Sequence, residues 1–501
     1  MQVSLQARPC QILRHHFWTP AVLSGLLLGL SFPPVPLPGL VLTALVPLLL
    51  ALEQTHTPLQ ALLAGVAATL LWVGLTLHWA LRHAVPTAAF ASSVGLLCLT
   101  LLMAVPAVIA RAVQLRRGRA AALAAFVLSW MALEALLTYG PLPFPWLQLG
   151  YATLPLSFFR GLIATLGAPG LSLWVLGTNV LTYALLRQRN LMTSLLLASW
   201  LLLPLGFPEP ASDPELRTVP VLVVQHGVPA ATWDRMDGLE RLAHLLTLTE
   251  TALDTARLRP ALILWPETAL PDTSVLFRLR AWVAHRRIPL LTGAVVPADG
   301  PGSTRFAYTN SALLLQPDRP LGRYDKQRLV PFAEQVPLVE TFPALQVLAV
   351  PAGGVAGYRS GRTPARFAVG PLRPGVLICF ESFFGNLARR SAEEGANLLV
   401  VLTQDGWWGR GPVYRQHLQA ARLRAIETGR AVVQVGADGL SALVLPSGRI
   451  AQELPPRRAA MRLFLAPLHE APTPAVRLGD LLTPTVLLSL LLLLGWTFLK
   501  R

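Results

Sequence analysis

The chain has 501 residues, 53% of them hydrophobic and only 14% charged, with a formal net charge of +16. Soluble domains carry about 25% charged residues, so the composition excludes a wholly soluble chain, and it also excludes disorder, a collagen-like fibre and a small disulfide scaffold. The cationic excess suits anionic lipid headgroups, and no nucleic-acid motif stands out to claim it.

A bilayer span needs about 20 mostly apolar residues. Stretches at 17–32, 36–52, 59–81, 88–110, 120–138, 157–186 and 191–206 read as seven spans, with the first, second and seventh short; 481–499 reads as an eighth. The expected organisation is a seven-helix membrane domain at 1–210, a polar domain at 217–468 and a C-terminal transmembrane helix at 480–501. Arg8, Arg14, Arg111, Arg116, Arg117, Arg119, Arg187, Arg189, Lys500 and Arg501 all fall on one side by alternate threading. Positive loops mark the cytoplasm, so the polar insert is expected outside it. The first apolar run leads into Ser31-Phe32-Pro33-Pro34 rather than a small-residue cleavage site, which argues for a retained span. Glu134 falls within the fifth span, where an ionisable group is costly and is functional by default; a place near the headgroups or a pair with Arg160 is the alternative. The loop at 140–151, with Trp146 and Tyr151, has the look of an interfacial anchor and could also border lipid.

From about Thr218 to Pro467 the pattern changes to short β-rich runs alternating with amphipathic helices. Strands are expected at 221–225, 261–265, 289–296, 308–316, 375–380, 397–403, 430–435 and 440–446. Helices are expected at 237–258, where Leu239, Leu242, Ala243 and Leu246 repeat near 3.6, and at 275–285, 383–394 and 414–428. That alternation predicts one large α/β core.

Three residues of this domain could carry chemistry. Glu267 follows a buried-looking strand, and function in α/β sheets gathers at the carboxyl ends of strands; a plain surface glutamate is the alternative. Lys326 and Lys500 are the only lysines among 42 basic residues. Lysine differs from arginine in being a point charge whose pKa moves on burial, which suits a catalytic amine; chance retention is the alternative. Cys379 stands at a strand-to-helix corner, where a helix N-terminus favours thiolate; a small buried core residue is the alternative. Cys10, Cys98 and Cys379 fall in three separate places, so none is expected to pair, and a lone thiol outside the cytoplasm must be buried or used.

In chain order, Trp265-Pro266-Glu267-Thr268-Ala269, the run Tyr324-Asp325-Lys326 through Glu334, and Cys379-Phe380-Glu381 resemble the three signatures of the nitrilase superfamily. That resemblance implies a four-layer α-β-β-α sandwich and a Glu-Lys-Cys triad. With the apolar stretches on either side, and with Phe144-Pro145-Trp146-Leu147, Val224-Gln225 and Gln416-His417-Leu418-Gln419-Ala420-Ala421-Arg422, nearly the whole chain resembles the apolipoprotein N-acyltransferase family. The resemblance implies Glu267 as general base, Lys326 as stabiliser of the tetrahedral intermediate and Cys379 as nucleophile. Glu334 matches a supporting acid, and Trp233, Phe380 and Glu381 match positions near the acyl or amine substrate. It also implies an inner-membrane enzyme with an extracytoplasmic catalytic domain, a phospholipid acyl donor, a diacylglyceryl apolipoprotein acceptor, membrane lipids around it, and no metal or cofactor. Two positions depart from the family's pattern: Phe380 stands where tyrosine is usual, and Gln404 where asparagine is usual.

A cysteine thioester can hold an acyl group between two substrates, and ping-pong kinetics follow from it. The apolar loop at 337–357 is expected either to dip into the bilayer as a lid or to pack in the core, and Trp407 and Trp408 either to line an acyl chain or to join the core. A membrane-tethered amidase and a non-catalytic transporter or scaffold are the competing readings. The spans argue against the first, and their plain Leu, Ala and Val content against the second.

Overall fold

The computed structural model describes residues 17–35, 37–83, 86–140, 142–153, 157–209, 217–298, 308–336, 342, 357–409 and 411–499. Before the polar insert run α1 (Trp18–Ser31), α2 (Val46–Glu53), α3 (Pro58–Leu77), α4 (Pro86–Tyr139), α5 (Gly150–Thr153), α6 (Arg160–Gln188) and α7 (Leu191–Leu202). Among the described residues, three helices are long and apolar enough to cross a membrane: Pro58–Arg82, Ala88–Tyr139 and Arg160–Gln188. The other apolar helices, Trp18–Ser31, Pro38–Glu53, Leu191–Gly206 and Leu482–Phe498, are shorter. The expected fourth and fifth spans both lie in α4, which breaks at Gly118 with φ 82° and ψ −176°. A straight helix of that length would reach about 80 Å, more than twice a hydrocarbon core. The break, in a backbone conformation open to glycine, divides it.

The insert adds α8 (Ala230–Trp233), α9 (Gly238–Thr255), α10 (Leu276–Arg286), α11 (Gly385–Glu393) and α12 (Val413–Thr428), and is followed by α13 (Pro474–Leu478) and α14 (Leu482–Phe498). Its strands are β1 (Thr218–Gln225), β2 (Leu262–Leu264), β3 (Leu290–Pro297), β4 (Tyr308–Leu315), β5 (Gly322–Asp325), β6 (Pro374–Ile378), β7 (Leu398–Thr403), β8 (Val432–Gly436), β9 (Ser441–Val444), β10 (Ile450–Leu454) and β11 (Ala460–Pro467). They form a six-stranded sheet in the order β11-β1-β2-β3-β4-β5 and a five-stranded sheet in the order β10-β9-β8-β7-β6.

Side-chain alternation along each strand makes the layers. Val221 and Val223 of β1 meet Val376 and Ile378 of β6 in the core between the sheets, with Leu398, Val400 and Leu402 of β7. Leu222 and Val224 point the other way, onto Leu242 and Leu245 of α9 and Leu279 and Val283 of α10. Leu377, Leu399 and Val401 pack on Leu387 of α11 and Leu418 and Ala421 of α12, in an apolar core that continues into Trp146, Leu171 and Trp174 of the membrane part. The result is the layered α-β-β-α arrangement expected, with α11 and α12 seated against the apolar helices.

Three strands were not legible in the sequence. β5 is four residues long and carries Arg323 and Asp325, β10 is a half-exposed edge, and β11 is defined by its antiparallel register with β1, Thr218 opposite Pro467 through Gln225 opposite Ala460. The strand expected to reach residue 380 ends at Ile378, because Cys379 turns to φ 52°.

Trp146 and Tyr151 are not at a headgroup surface. Trp146 is buried with its ring 3.8 Å from that of Phe383, and Tyr151 donates to the Phe383 carbonyl at 3.0 Å. Gln416 of α12 bolts the two parts together. Its Oε1 accepts from Trp79 Nε1 at 2.9 Å and Trp146 Nε1 at 2.8 Å, while its Nε2 donates to the carbonyls of Pro33 at 3.0 Å and Thr76 at 2.9 Å. Glu134, rather than pairing with Arg160, is buried and accepts from Leu149 N at 3.1 Å and Trp130 Nε1 at 3.2 Å.

Candidate active site

Glu267, Lys326 and Cys379 each follow the carboxyl end of a strand: β2, β5 and β6. Glu267 comes close to β3 because residue 293 is glycine. A Cβ there would lie 2.5 Å from the Pro266 carbonyl and 2.6 Å from the Glu267 Cα. Backbone strain gathers on the same loops, with φ 48° at Thr268, 66° at Phe332 and 52° at Cys379. Non-glycine residues hold such angles only where their surroundings over-determine them.

Lys326 is 1% exposed, and its Nζ lies 3.1 Å from Glu267 Oε1 and 2.9 Å from Glu334 Oε1. Asn310 Nδ2 donates to the same two oxygens, at 2.8 and 3.0 Å. The remaining oxygens are taken by backbone: Gln404 N donates to Glu267 Oε2 at 2.8 Å, and Val330 N to Glu334 Oε2 at 2.8 Å. Burial alone would press the ammonium toward neutrality, but the Glu267 and Glu334 carboxylates hold its pKa well above the ordinary lysine value. Because a backbone N–H serves Glu267 at position 404, the unusual Gln404 side chain takes no part in that contact.

The sequence reading missed Asn310. Its signal was a polar Thr309-Asn310-Ser311 run in a stretch read as a core strand, where a buried polar group must find partners.

Cys379 is part-buried at the mouth of its turn. Glu381, fully buried, fixes that turn by accepting from Ile378 N at 2.7 Å, Gln327 N at 2.6 Å and Tyr324 Oη at 2.9 Å. Glu381 is thus committed to backbone and Tyr324, tying the Cys379 turn to the Lys326 loop. The expectation that the strand-to-helix corner favours thiolate is reversed. The enclosed site and then the Glu267 carboxylate raise the thiol well above its ordinary pKa, outweighing Lys326. Both influences favour the thiol over the thiolate.

Phe380 is buried against Phe144, Trp146 and Phe384, at ring distances of 5.8, 6.2 and 5.1 Å. Trp233 is also fully buried, but it stacks on His226 at 3.8 Å in the outer core beside α9. Its Nε1 points to the Thr268 carbonyl at 3.4 Å, so it backs the Glu267 loop.

Cys379 and Phe380 border a cavity of about 170 Å³. Its far wall is α4, through Ala88, Ala91, Leu99 and Leu102, and its near wall is Phe144, Trp146, Phe332 and Trp408. Trp408 therefore lines the cavity, whereas Trp407 stacks on His83 at 5.8 Å. Asp405 and His417 border the same space, with His417 Nδ1 and Asp405 Oδ1 2.6 Å apart. Of the apolar loop at 337–357, only Phe342, which is exposed, and Gly357 belong to the described residues; its other apolar side chains lie outside them.

The profile of the apolipoprotein N-acyltransferase N-terminal domain matches residues 24–181, and that of the carbon-nitrogen hydrolases matches residues 223–461. An apolipoprotein N-acyltransferase of Chlorobaculum tepidum is 31% identical, the alignment covering 89% of each chain. That of Geobacter metallireducens is 30% identical over 86% of this chain and 85% of the relative. A solved amidase from Nesterenkonia sp. AN1 is 19% identical, with a TM-score of 0.37, over 50% of this chain and 93% of that one. With both halves matched in order and relatives aligned along almost their full length, the chain belongs to the apolipoprotein N-acyltransferase family.

Proposed function

We propose that this enzyme moves an acyl chain from a phospholipid to Cys379, and then from the thioester to the α-amino group of a diacylglyceryl-cysteine at the N-terminus of a lipoprotein. The observation that carries the reading is the position of Cys379. It borders an apolar cavity walled on one side by α4 and on the other by the sandwich. A water-soluble amide would have no use for such a wall, whereas an acyl chain entering from lipid needs one. In this reading the membrane part comprises 1–210 and 480–501 with eight crossings, and the catalytic domain at 217–468 lies on the extracytoplasmic face of the inner membrane.

The geometry supports a definite proton path. Glu267, held by Lys326, Asn310 and Gln404 N, takes the proton of the Cys379 thiol. The thiolate attacks the ester carbonyl, and the charge that develops on oxygen falls to Lys326, whose attraction to Glu267 drops once that carboxylate is protonated. Glu267 returns the proton to the departing lysophospholipid oxygen. The incoming amine then gives a proton to Glu267 as it attacks the thioester, and the thiolate released takes that proton back. Glu334 stays ionised, keeping Lys326 charged and oriented through both steps. Phospholipid, lysophospholipid and lipoprotein thus exchange at one sulfur, with ping-pong kinetics.

Incubating the detergent-solubilised enzyme with phospholipid and measuring intact mass tests this. The expected product is one acyl adduct on Cys379 that a diacylglyceryl lipopeptide removes, gaining a third chain. A folded enzyme that forms no adduct would sink the mechanism; release of free fatty acid alone would indicate a hydrolase.

A further inference from the structure

Beside the Glu-Lys-Cys set lies a second pair of ionisable groups to which the mechanism above assigns no step. Cys379, Asp405 and His417 present one ligand-type atom each, all within 4.8 Å of one another. His417 is 1% exposed, on α12 in the wall of the cavity, and Asp405 fixes its Nδ1. Asp405 is itself held by Thr403 Oγ1 at 2.7 Å. The other ring nitrogen, Nε2, meets no partner at full hydrogen-bond geometry among the described residues, although the backbone of Cys379 lies near enough to favour the imidazolium. A buried imidazole with one nitrogen anchored on a carboxylate and the other left for the site is an oriented donor.

Charge makes the arrangement matter. The charged groups acting on the sulfur are Glu267 after β2, Lys326 after β5, Glu334 in the next loop and Asp405 after β7, while Glu381 in its own turn is taken up by backbone amides and Tyr324. Lys326 is shared between two carboxylates, so the set without His417 is net negative at the place where a thiolate must exist. We propose that His417, held as an imidazolium by Asp405, is the second cation of the site and stabilises the Cys379 thiolate, above all when sulfur leaves the tetrahedral intermediate formed by the amine. In that step the carbon–sulfur bond breaks and its electron pair stays on sulfur. Glu267 holds the proton taken from the amine and passes it to sulfur, and His417 keeps its own proton throughout. Burial would lower the imidazolium's pKa, but the Asp405 carboxylate outweighs that and raises it above the ordinary histidine value, which favours the charged form.

The proposal rests on Cys379 being the nucleophile, but its test needs no lipid. In full-length enzyme carrying Cys10→Ser and Cys98→Ser, alkylation of Cys379 by iodoacetamide is followed by intact mass from pH 6 to pH 10. His417→Gln should slow alkylation about tenfold at a fixed pH below the thiol's midpoint, as expected for loss of a nearby opposite charge. The variant should also slow release of the acyl group to amine more than its loading, since a less acidic thiol is a poorer leaving group. The parent enzyme should also show an inflection below the thiol's own midpoint, where His417 loses its proton, which keeps the test open should the variant fail to fold. An unchanged rate in a folded His417→Gln enzyme, or a parent profile that lacks the His417 inflection, overturns the proposal. An absent acyl adduct with these alkylation results would instead count against the acyl-transfer reading.

Discussion

Glu381 and Gln327 are joined across 54 positions of sequence by one hydrogen bond, from Gln327 N to Glu381 Oε1 at 2.6 Å. Glu381 stands two residues after Cys379 and Gln327 one after Lys326, so this carboxylate sets the distance between the two loops. Replacing Glu381 with alanine would strand the amides of Ile378 and Gln327 in the interior. At about 1–3 kcal/mol for each buried donor left without a partner, the loss should be severe. Tyr324→Phe removes only one donor and should cost about 1 kcal/mol. Thermal unfolding in detergent should rank the two in that order.

Glu267→Gln should separate turnover from thiol reactivity. Loss of the general base should lower acyl transfer by about a hundredfold or more. The Glu267 carboxylate also helps to raise the pKa of the Cys379 thiol, so removing its charge should lower that pKa. At fixed pH below the midpoint, alkylation of Cys379 by iodoacetamide should therefore become faster as transfer is lost. Slower alkylation would contradict this electrostatic account.

Lys326→Met would leave Glu267 and Glu334 facing each other, both bonded to Asn310 and lacking their cation. Breaking one side of a buried ion pair costs about 3–5 kcal/mol, so the variant should be both inactive and less stable. Glu334→Gln keeps the shape and leaves Lys326 one carboxylate. It should fold normally and lose activity mainly in kcat, which steady-state kinetics on phospholipid would show.

Filling the cavity should block lipid but not small reagents. Ala91 and Leu99 are buried on the α4 wall. Ala91→Phe or Leu99→Trp should reduce acylation by a long-chain phospholipid about tenfold, while alkylation by iodoacetamide stays within about twofold. A parallel fall in both rates would mean that the wall shapes the site rather than holding the chain.

Gln416→Leu should weaken the joint between the membrane part and the sandwich. It would leave two indole N–H groups and two carbonyls without the partner they share. The expected loss is about 2–4 kcal/mol, read as a lower midpoint of thermal unfolding in detergent. Normal stability would show that water replaces the amide.

The sequence by itself determined what depends on near neighbours. Runs of apolar residues mark the membrane part, and the alternation that sends Val221 and Val223 inward and Leu222 and Val224 outward is local geometry. The same pattern put Glu267 and Cys379 at strand ends, and the scarcity of lysine singled out Lys326. What the tertiary structure alone decided are the relations between distant segments. Asn310 reaches Glu267 across 43 positions, and Trp79 reaches Gln416 across 337. Trp146 and Tyr151 looked like headgroup anchors because an aromatic ring with one polar atom suits a water–lipid boundary and a protein interface equally well. The thiol looked activated because the turn that follows it was visible while the carboxylates folded around it were not. A pKa is set by every charge and by all the water excluded within several ångströms, and only the folded chain brings those together.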